Sequence, residues 1–397
     1  FTQTPEYAGL AHMYEHMFFR ANASYPEPEA FVGQAGDLGA VFNGTTQEER
    51  VNYYLTVSAD SMEAGVRFLS AALLAPLFRQ DELEKERQVV IGEYDRNESS
   101  PFFQLTRQMD ELLYPGNFSR KNIIGDRQVI LTTTPEKMRT IQHKYYVPNN
   151  SVLIVSGDVT PAKVFASAER ELGKWQRGAD PFVADPIPPI PPVTKNQGVV
   201  VEAGVGAVTV FLQWQGPSVR KDPNSTYAAD VFSDVLNDPG SNFQQRLVDS
   251  GLWQSMGVNY YTLNNVGPIT ISGQTSPENL RKAIAAVEAE IGKFNDPGYF
   301  DATELEAVKA HRAVTSAFDR ERASGFAHTL GFWWSVANLE YYMGYVDNMA
   351  KQTTAELRAY ANKYIIGKPQ ITGVLIDPAS RQRLGLTTDE LAKGGTQ

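Results

Sequence analysis

The segment AGLAHMYEHMFF, Ala8 to Phe19, sets two histidines four residues apart with a glutamate directly before the second. Its apolar residues recur at spacings of three and four, which predicts a helix over Gly9 to Phe19. Residues four apart lie one above the other on a helix, so His12 and His16 can reach a single cation. Glu15 stands one step around from His16, near the same edge. Its carboxylate could hydrogen-bond a water at that cation without being a ligand.

His12-x-x-Glu15-His16 is the His-Glu-x-x-His zinc helix in reverse order, the inverted zincin motif. The chain holds five histidines in 397 residues, so the pattern is seldom accidental. The plain alternative is two helix-face histidines that pack or face solvent. A catalytic zinc takes three protein ligands and keeps one position open. There is no cysteine, so the third ligand must be His, Asp or Glu. His143, His311 and His328 have no partner at ligand spacing. The predicted helix Asp81 to Glu98 carries Glu86 and Glu93 two turns apart on one face, with Val89, Val90 and Ile91 between them. Such an apolar run turns a helix inward, where a carboxylate is costly unless paired or metal-bound. The residues alone leave both glutamates equally readable as surface charges.

Outward from these helices the chain is ordinary and globular, 42% hydrophobic and 21% charged. The net charge of -10 disfavours nucleic acid as a main partner. No run is long and apolar enough to span a bilayer. The absence of cysteine excludes disulfide scaffolds and thiol chemistry. It leaves the compartment open between bacterial periplasm and cytoplasm, the periplasm slightly favoured. The Pro-rich stretch Gln176 to Gln197 breaks the chain into nearly equal halves. The halves echo each other: Arg139, Lys144 and Tyr145 match Arg358, Lys363 and Tyr364 at one constant spacing. Helix then strand follows in both, as Pro135 to Tyr146 with Ser151 to Val159, and Thr354 to Ile365 with Gln370 to Pro378. Further strands are expected at Val51 to Val57, Val199 to Ala203, Val208 to Gln213 and Pro268 to Gly273. Further helices are expected at Ser61 to Leu74, Pro101 to Leu113, Asn224 to Val235, Pro277 to Lys293 and Thr303 to Glu321. The pattern implies an α+β class with antiparallel sheets.

Three segments together resemble the M16 metallopeptidases, the pitrilysin, insulinase and mitochondrial processing peptidase group. They are GLAHMYEHMFF, FNGTTQEERVNYYLTV (Phe42 to Val57) and EKERQVVIGEYDR (Glu84 to Arg96). The resemblance implies two homologous domains, each an antiparallel sheet packed with helices and joined by a Pro-rich linker. The zinc-binding domain would cover 1–178, the linker 179–197 and a second domain of the same fold 198–397. It implies a zinc endopeptidase of the short type, with one zinc held by His12, His16 and Glu93. Glu15 would be the general base, and Glu86 would orient His12 or Glu93. Unfolded peptides would add as a strand at a sheet edge, with Asn43 and Gly44 on their backbone. The alternative role for Asn43 is a turn residue beside Gly44.

Two departures from the family pattern stand out. The family's strand before the zinc helix has no counterpart here, so the first sheet is expected to lack it unless this chain is a fragment, is processed, or omits disordered residues. The family's Arg and Tyr of the second domain are also missing: Val248 stands near the Arg position and Gln254 at the Tyr position, with Arg246 two places off. The expectation is a zinc-bearing subunit whose partner, a second M16-like chain, supplies Arg and Tyr, or a homodimer. The rival expectation is a catalytically silent scaffold or peptide-binding subunit of the same fold.

Overall fold

A computed structural model describes residues 3–117, 120 and 122–393. Its contacts divide into two compact units. The first comprises Phe1–Asn97, Asn117–Pro188 and Arg320–Ser335; the second comprises Glu98–Gly116, Pro189–Asp319 and Val336–Gln397. Two segments thus cross the contiguous division expected from the sequence, and packing explains both. The helix Pro101–Leu113 buries Leu105, Met109 and Leu113 among Val199, Ile371 and Leu375. These three recur every four residues, so they form one apolar stripe. The helix Ala323–Val336 lies instead on the first unit, where Asn52 Nδ2 is 3.1 Å from His328 Nδ1 and Tyr54 meets the His328 ring edge-on at 4.4 Å.

The first unit opens with α1 (Leu10–Phe18), followed by an antiparallel hairpin of β1 (Val41–Thr46) and β2 (Val51–Thr56). Then come α2 (Met62–Leu74), α3 (Gln80–Glu98) and α4 (Pro135–Tyr145). Rings fill the space between α1 and β2. Phe18 stacks on Tyr53 at 3.6 Å, and Tyr14 stacks on Tyr146 at 4.0 Å. Among the described residues this sheet has two strands.

The strand expected at Ser151 to Val159 does not form. Among the described residues, no backbone hydrogen bond ties Val152–Ser156 to another segment. Val152 and Leu153 are exposed. The second unit supplies the physical reason. Its sheet has the order β3 (Gln197–Glu202), β7 (Ile371–Ile376), β4 (Val208–Gln215), β6 (Pro268–Thr275), β5 (Ser255–Tyr260). At the spacing that relates the two halves, 152–157 corresponds to β7, which lies between β3 and β4. The first-unit segment has similar apolar side chains but, among the described residues, no strand on either side to form a ladder with it.

The second sheet also departs from a wholly antiparallel one, because β3 and β7 run parallel. They are the first and last strands of the unit, and only a tight hairpin would force them to oppose. Its edge strand β5 escaped the sequence reading. Gly257 and Asn259 weaken its strand signal, and its alternation is confined to buried Val258 and Tyr260. The helices α5 (Pro223–Asn237), α6 (Leu280–Gly292) and α7 (Thr354–Tyr364) complete the part of the unit that matters here. One device recurs in both units, with corresponding Lys–Tyr pairs on aspartates that the common spacing does not relate. Lys144 Nζ and Tyr145 Oη meet Asp185 Oδ2 at 2.7 and 2.9 Å, as Lys363 and Tyr364 meet Asp222 Oδ2 at 2.6 and 2.5 Å. No helix among the described residues is long and apolar enough to cross a membrane.

Unpaired amides exchange through small fluctuations, whereas central-strand amides need larger openings. Hydrogen exchange of the intact chain is expected to be at least about 100-fold faster at Val152–Ser156 than at β7. Equal protection would mean that the segment has a ladder partner after all.

Candidate metal centre

The start of α1 is fixed by a close crossing of two backbones. Gly9 has φ of 88°, and a Cβ there would lie 2.2 Å from the Ile124 carbonyl oxygen. Gly125 answers with φ of 87° and would bring its own Cβ to 2.2 Å from Gly9 Cα. Asp126 N–H donates to Ala8 O across the crossing at 3.3 Å. Leu10, Met13, Tyr14 and Met17 then bury one face of α1, which leaves His12, Glu15 and His16 along its less buried edge.

From α3, Leu83 and Val90 are fully buried while Val89 is exposed, so the expected apolar run is only partly inward. This rotation brings Glu93 Oε2 to 3.5 Å from His12 Nε2 and 3.6 Å from His16 Nε2. Ligand atoms of the three residues form a triangle with no side above 4.8 Å. Tetrahedral zinc with bonds of ~2.0–2.1 Å holds its ligands about 3.4 Å apart. Two imidazoles and a carboxylate are also the donor types a catalytic zinc site uses, so the residues fit the ion. Glu93 is the most exposed of the three, its side chain 31% accessible against 17% for each histidine.

Glu86 is nearly inaccessible and bonds neither His12 nor Glu93, the partners expected for it. Its Oε2 lies 3.0 Å from His16 Nδ1, and its Oε1 accepts from Arg20 Nη2. The correction follows from the helix geometry. Glu86 sits two turns before Glu93 on α3 and so meets the farther end of α1, where His16 and Arg20 stand. Binding His16 through Nδ1 leaves its Nε2 directed at Glu93. The His12 pKa falls to about 4, through burial and then the charge of His16. Burial also pulls the His16 pKa down, but the Glu86 hydrogen bond and the charges of Glu93, Glu86 and Glu15 outweigh it and the net direction is up.

Glu15 is not among the three clustered ligands. Thr46 Oγ1 donates to its Oε2, and Gly44 packs so closely that a Cβ would meet Glu15 Cγ at 2.6 Å. Burial raises the Glu15 pKa; the Thr46 bond and His16 act against this, while Glu93 adds to it. Asn43 is exposed, and its Oδ1 accepts from Gly44 N–H at 2.8 Å. The sequence reading had no role for Thr46, Arg20 or the paired phenols of Tyr53 and Tyr146, whose oxygens lie 2.6 Å apart. Arg20 had a readable signal, because it extends the four-residue spacing of His12 and His16.

Residues 1–123 match the family described as Insulinase (Peptidase family M16), and residues 132–311 match the one described as Peptidase M16 inactive domain. The chain belongs to the M16 peptidase family. It is 23% identical over 382 residues to the Helicobacter pylori protein named zinc protease PqqE, across 94% of this chain and 84% of that protein. It is 23% identical over 310 residues to the uncharacterized zinc protease YmxG of Bacillus subtilis, across 77% of this chain and 73% of that one. The crystal structure of a protease from Helicobacter pylori superposes with a TM-score of 0.84 at 22% identity, covering 94% of this chain and 91% of that chain. The first half of the periplasmic protease PqqL from Escherichia coli gives 0.77 at 17% identity, covering 99% of this chain and 88% of that chain. At such identities the structural likeness establishes the fold and not the activity.

Two variants test this geometry. Gly9→Ala is expected to lose at least about 1–2 kcal/mol, the cost of a left-handed residue with a Cβ. Urea unfolding would register it as a lower midpoint at unchanged slope. Glu86→Ala is expected to weaken zinc retention about 10–100-fold in competition with a chelator, as loss of a partner to a ligating histidine does. Unchanged affinity would show that Glu86 does not orient His16.

Proposed function

We propose that this chain is the zinc-bearing subunit of an M16 endopeptidase that cleaves unfolded peptides. The observation that carries the reading is the convergence of His12, His16 and Glu93, with Glu15 beside them and not among them. Zinc held by those three residues would supply Lewis-acid activation of water and of the scissile carbonyl. Glu15 takes the proton of the attacking water and passes it to the leaving amine. Glu86 holds His16 in the tautomer that leaves Nε2 free to ligate.

β1 has one hydrogen-bonded neighbour among the described residues, so its other edge can accept an added strand. A peptide docked there gains main-chain hydrogen bonds whatever its sequence, with Asn43 and Gly44 as its backbone contacts. The zinc-binding domain is assigned to 1–178 and the second domain to 198–397, with 179–197 between them. We place the protein in the periplasm, where the Escherichia coli neighbour PqqL is described as acting.

In the expected segment Val248 and Gln254 stand at the Arg and Tyr positions, and the neighbouring Arg246 and, six residues past Gln254, Tyr260 are both engaged within the domain. Arg246 Nη1 donates to buried Glu290 at 2.9 Å, and Tyr260 Oη donates to Pro217 O at 3.0 Å. Both side chains are committed to their own fold, which supports a partner chain that brings Arg and Tyr. The competing reading is a silent subunit of the same fold. What favours it is the description of the family matched over residues 132–311 as an inactive domain.

Purified chain is expected to retain one zinc. With its partner it should cleave flexible peptides, and Glu15→Gln should lose activity by at least about 100-fold with zinc retained. A well-folded, zinc-free protein, or a Glu15→Gln variant at wild-type rate, would favour the silent subunit. Full cleavage by the chain alone would remove the need for a partner.

A further inference from the structure

The face of β1 that looks toward α1 is built around a single side chain of that helix. Strand residues two apart share a face, so Phe42, Gly44 and Thr46 line up along it. Phe42 meets Phe19 with ring centroids 5.0 Å apart, and the next two positions both address Glu15. Gly44 withholds a Cβ that would lie 2.6 Å from Glu15 Cγ and 2.9 Å from its Oε1. Thr46 donates its hydroxyl to the other oxygen, Oε2. One position makes room for the carboxylate and the next restrains it.

We propose that Thr46 is the positioning residue of the general base. By holding Oε2, its hydroxyl fixes the Glu15 side chain so that Oε1 is the oxygen that receives the proton from water. This rests on the reading of Glu15 as base. A carboxylate is free to turn about its last bond, and each turn exchanges its oxygens. A single hydroxyl donor narrows that freedom: Thr has one hydrogen to give, so one oxygen of Glu15 is held and its equivalent is left for the water, and a half-turn only exchanges the two in the same place. Thr46 can do this reliably because its backbone is pinned opposite Val51 at the hairpin end of β1. Its branched side chain also has few rotamers to choose from. The proton balance is unchanged by Thr46: it keeps its own hydrogen while Oε1 gains one from water and later gives it to the amine.

The test compares Thr46→Val, which keeps the shape and removes the hydroxyl, with Thr46→Ser, which keeps the hydroxyl. In the assembly that cleaves peptide, Thr46→Val is expected to lower kcat about 10–100-fold with KM nearly unchanged, the size of effect that small misplacements of a catalytic group produce. Thr46→Ser should recover most of that loss, and zinc content should stay the same in both. A second readout does not depend on turnover. In the zinc-loaded chain with 13C-labelled glutamate, the Glu15 carboxyl resonance is identified by its absence in Glu15→Gln. It should move in Thr46→Val and stay near its wild-type place in Thr46→Ser. An unmoved resonance in Thr46→Val, or equal kinetic losses in both variants, overturns the proposal. Full activity in Glu15→Gln would instead overturn the reading of Glu15 as base, and the resonance would still report whether Thr46 holds its carboxyl.

Discussion

Glu86 is a carboxylate kept almost wholly out of water between two helices, and the candidate metal centre depends on how it is satisfied. A buried carboxylate without partners is costly enough to forbid the packing that would create it. Here one oxygen faces His16 and the other faces Arg20, both on the chain of α1 and its end. A turn earlier on α3, Glu82 Oε1 accepts Ala21 N–H at 3.2 Å. These contacts fix where α3 lies along α1 and how it is rotated. Given that register, Glu93 has little choice of direction two turns further on. The triangle of ligand atoms is thus a consequence of charges satisfied two and three turns away from Glu93.

The helix of the candidate site could be read in the sequence because its information is local. His12, Glu15 and His16 lie within one and a half turns, and helical periodicity alone puts them along one edge. Glu93 could be narrowed to a helix but not chosen over Glu86 from residues alone, because both occupy the same face. The choice lies in the rotation of α3 against α1, which is tertiary. Thr46 was less legible still. A threonine in a strand needs no explanation until the helix beside it is known to carry a glutamate at that height. The partner of Glu86 was misjudged for a related reason. Two turns of helix separate it from Glu93, so it could not serve Glu93 itself, but the end of α1 it would meet is set by the direction in which the helices cross.

The failed strand at Ser151 to Val159 has a different cause. Its composition is that of a buried strand, and its counterpart β7 is buried along its whole length. Strand propensity describes how well side chains suit a sheet, but a strand exists only where neighbours supply hydrogen bonds. Among the described residues, 152–156 has no such neighbours, and Val152 and Leu153 stay exposed. By contrast the hairpin of β1 and β2 forms because each strand brings the other its partner through a short turn.

The two halves show what a duplicated scaffold keeps and what it relinquishes. The Lys–Tyr pair persists in both, each held by an aspartate drawn from a different place in the chain. At the common spacing, however, His12 and His16 correspond to Val231 and Val235, which α5 buries completely or nearly so. Glu15 corresponds to Asp234, which pairs with Arg312 Nε at 2.8 Å. Where the first half has two imidazoles the second has core valines, and the carboxylate beside them is half of an ion pair. Such an exchange costs the fold nothing, since valine in a helix–sheet core is as stabilising as any residue of its size. It does remove any prospect of a second metal centre at that place. Among the described residues, the donors that could hold a cation cluster in the first half, while Arg246 and Tyr260 of the second make internal contacts.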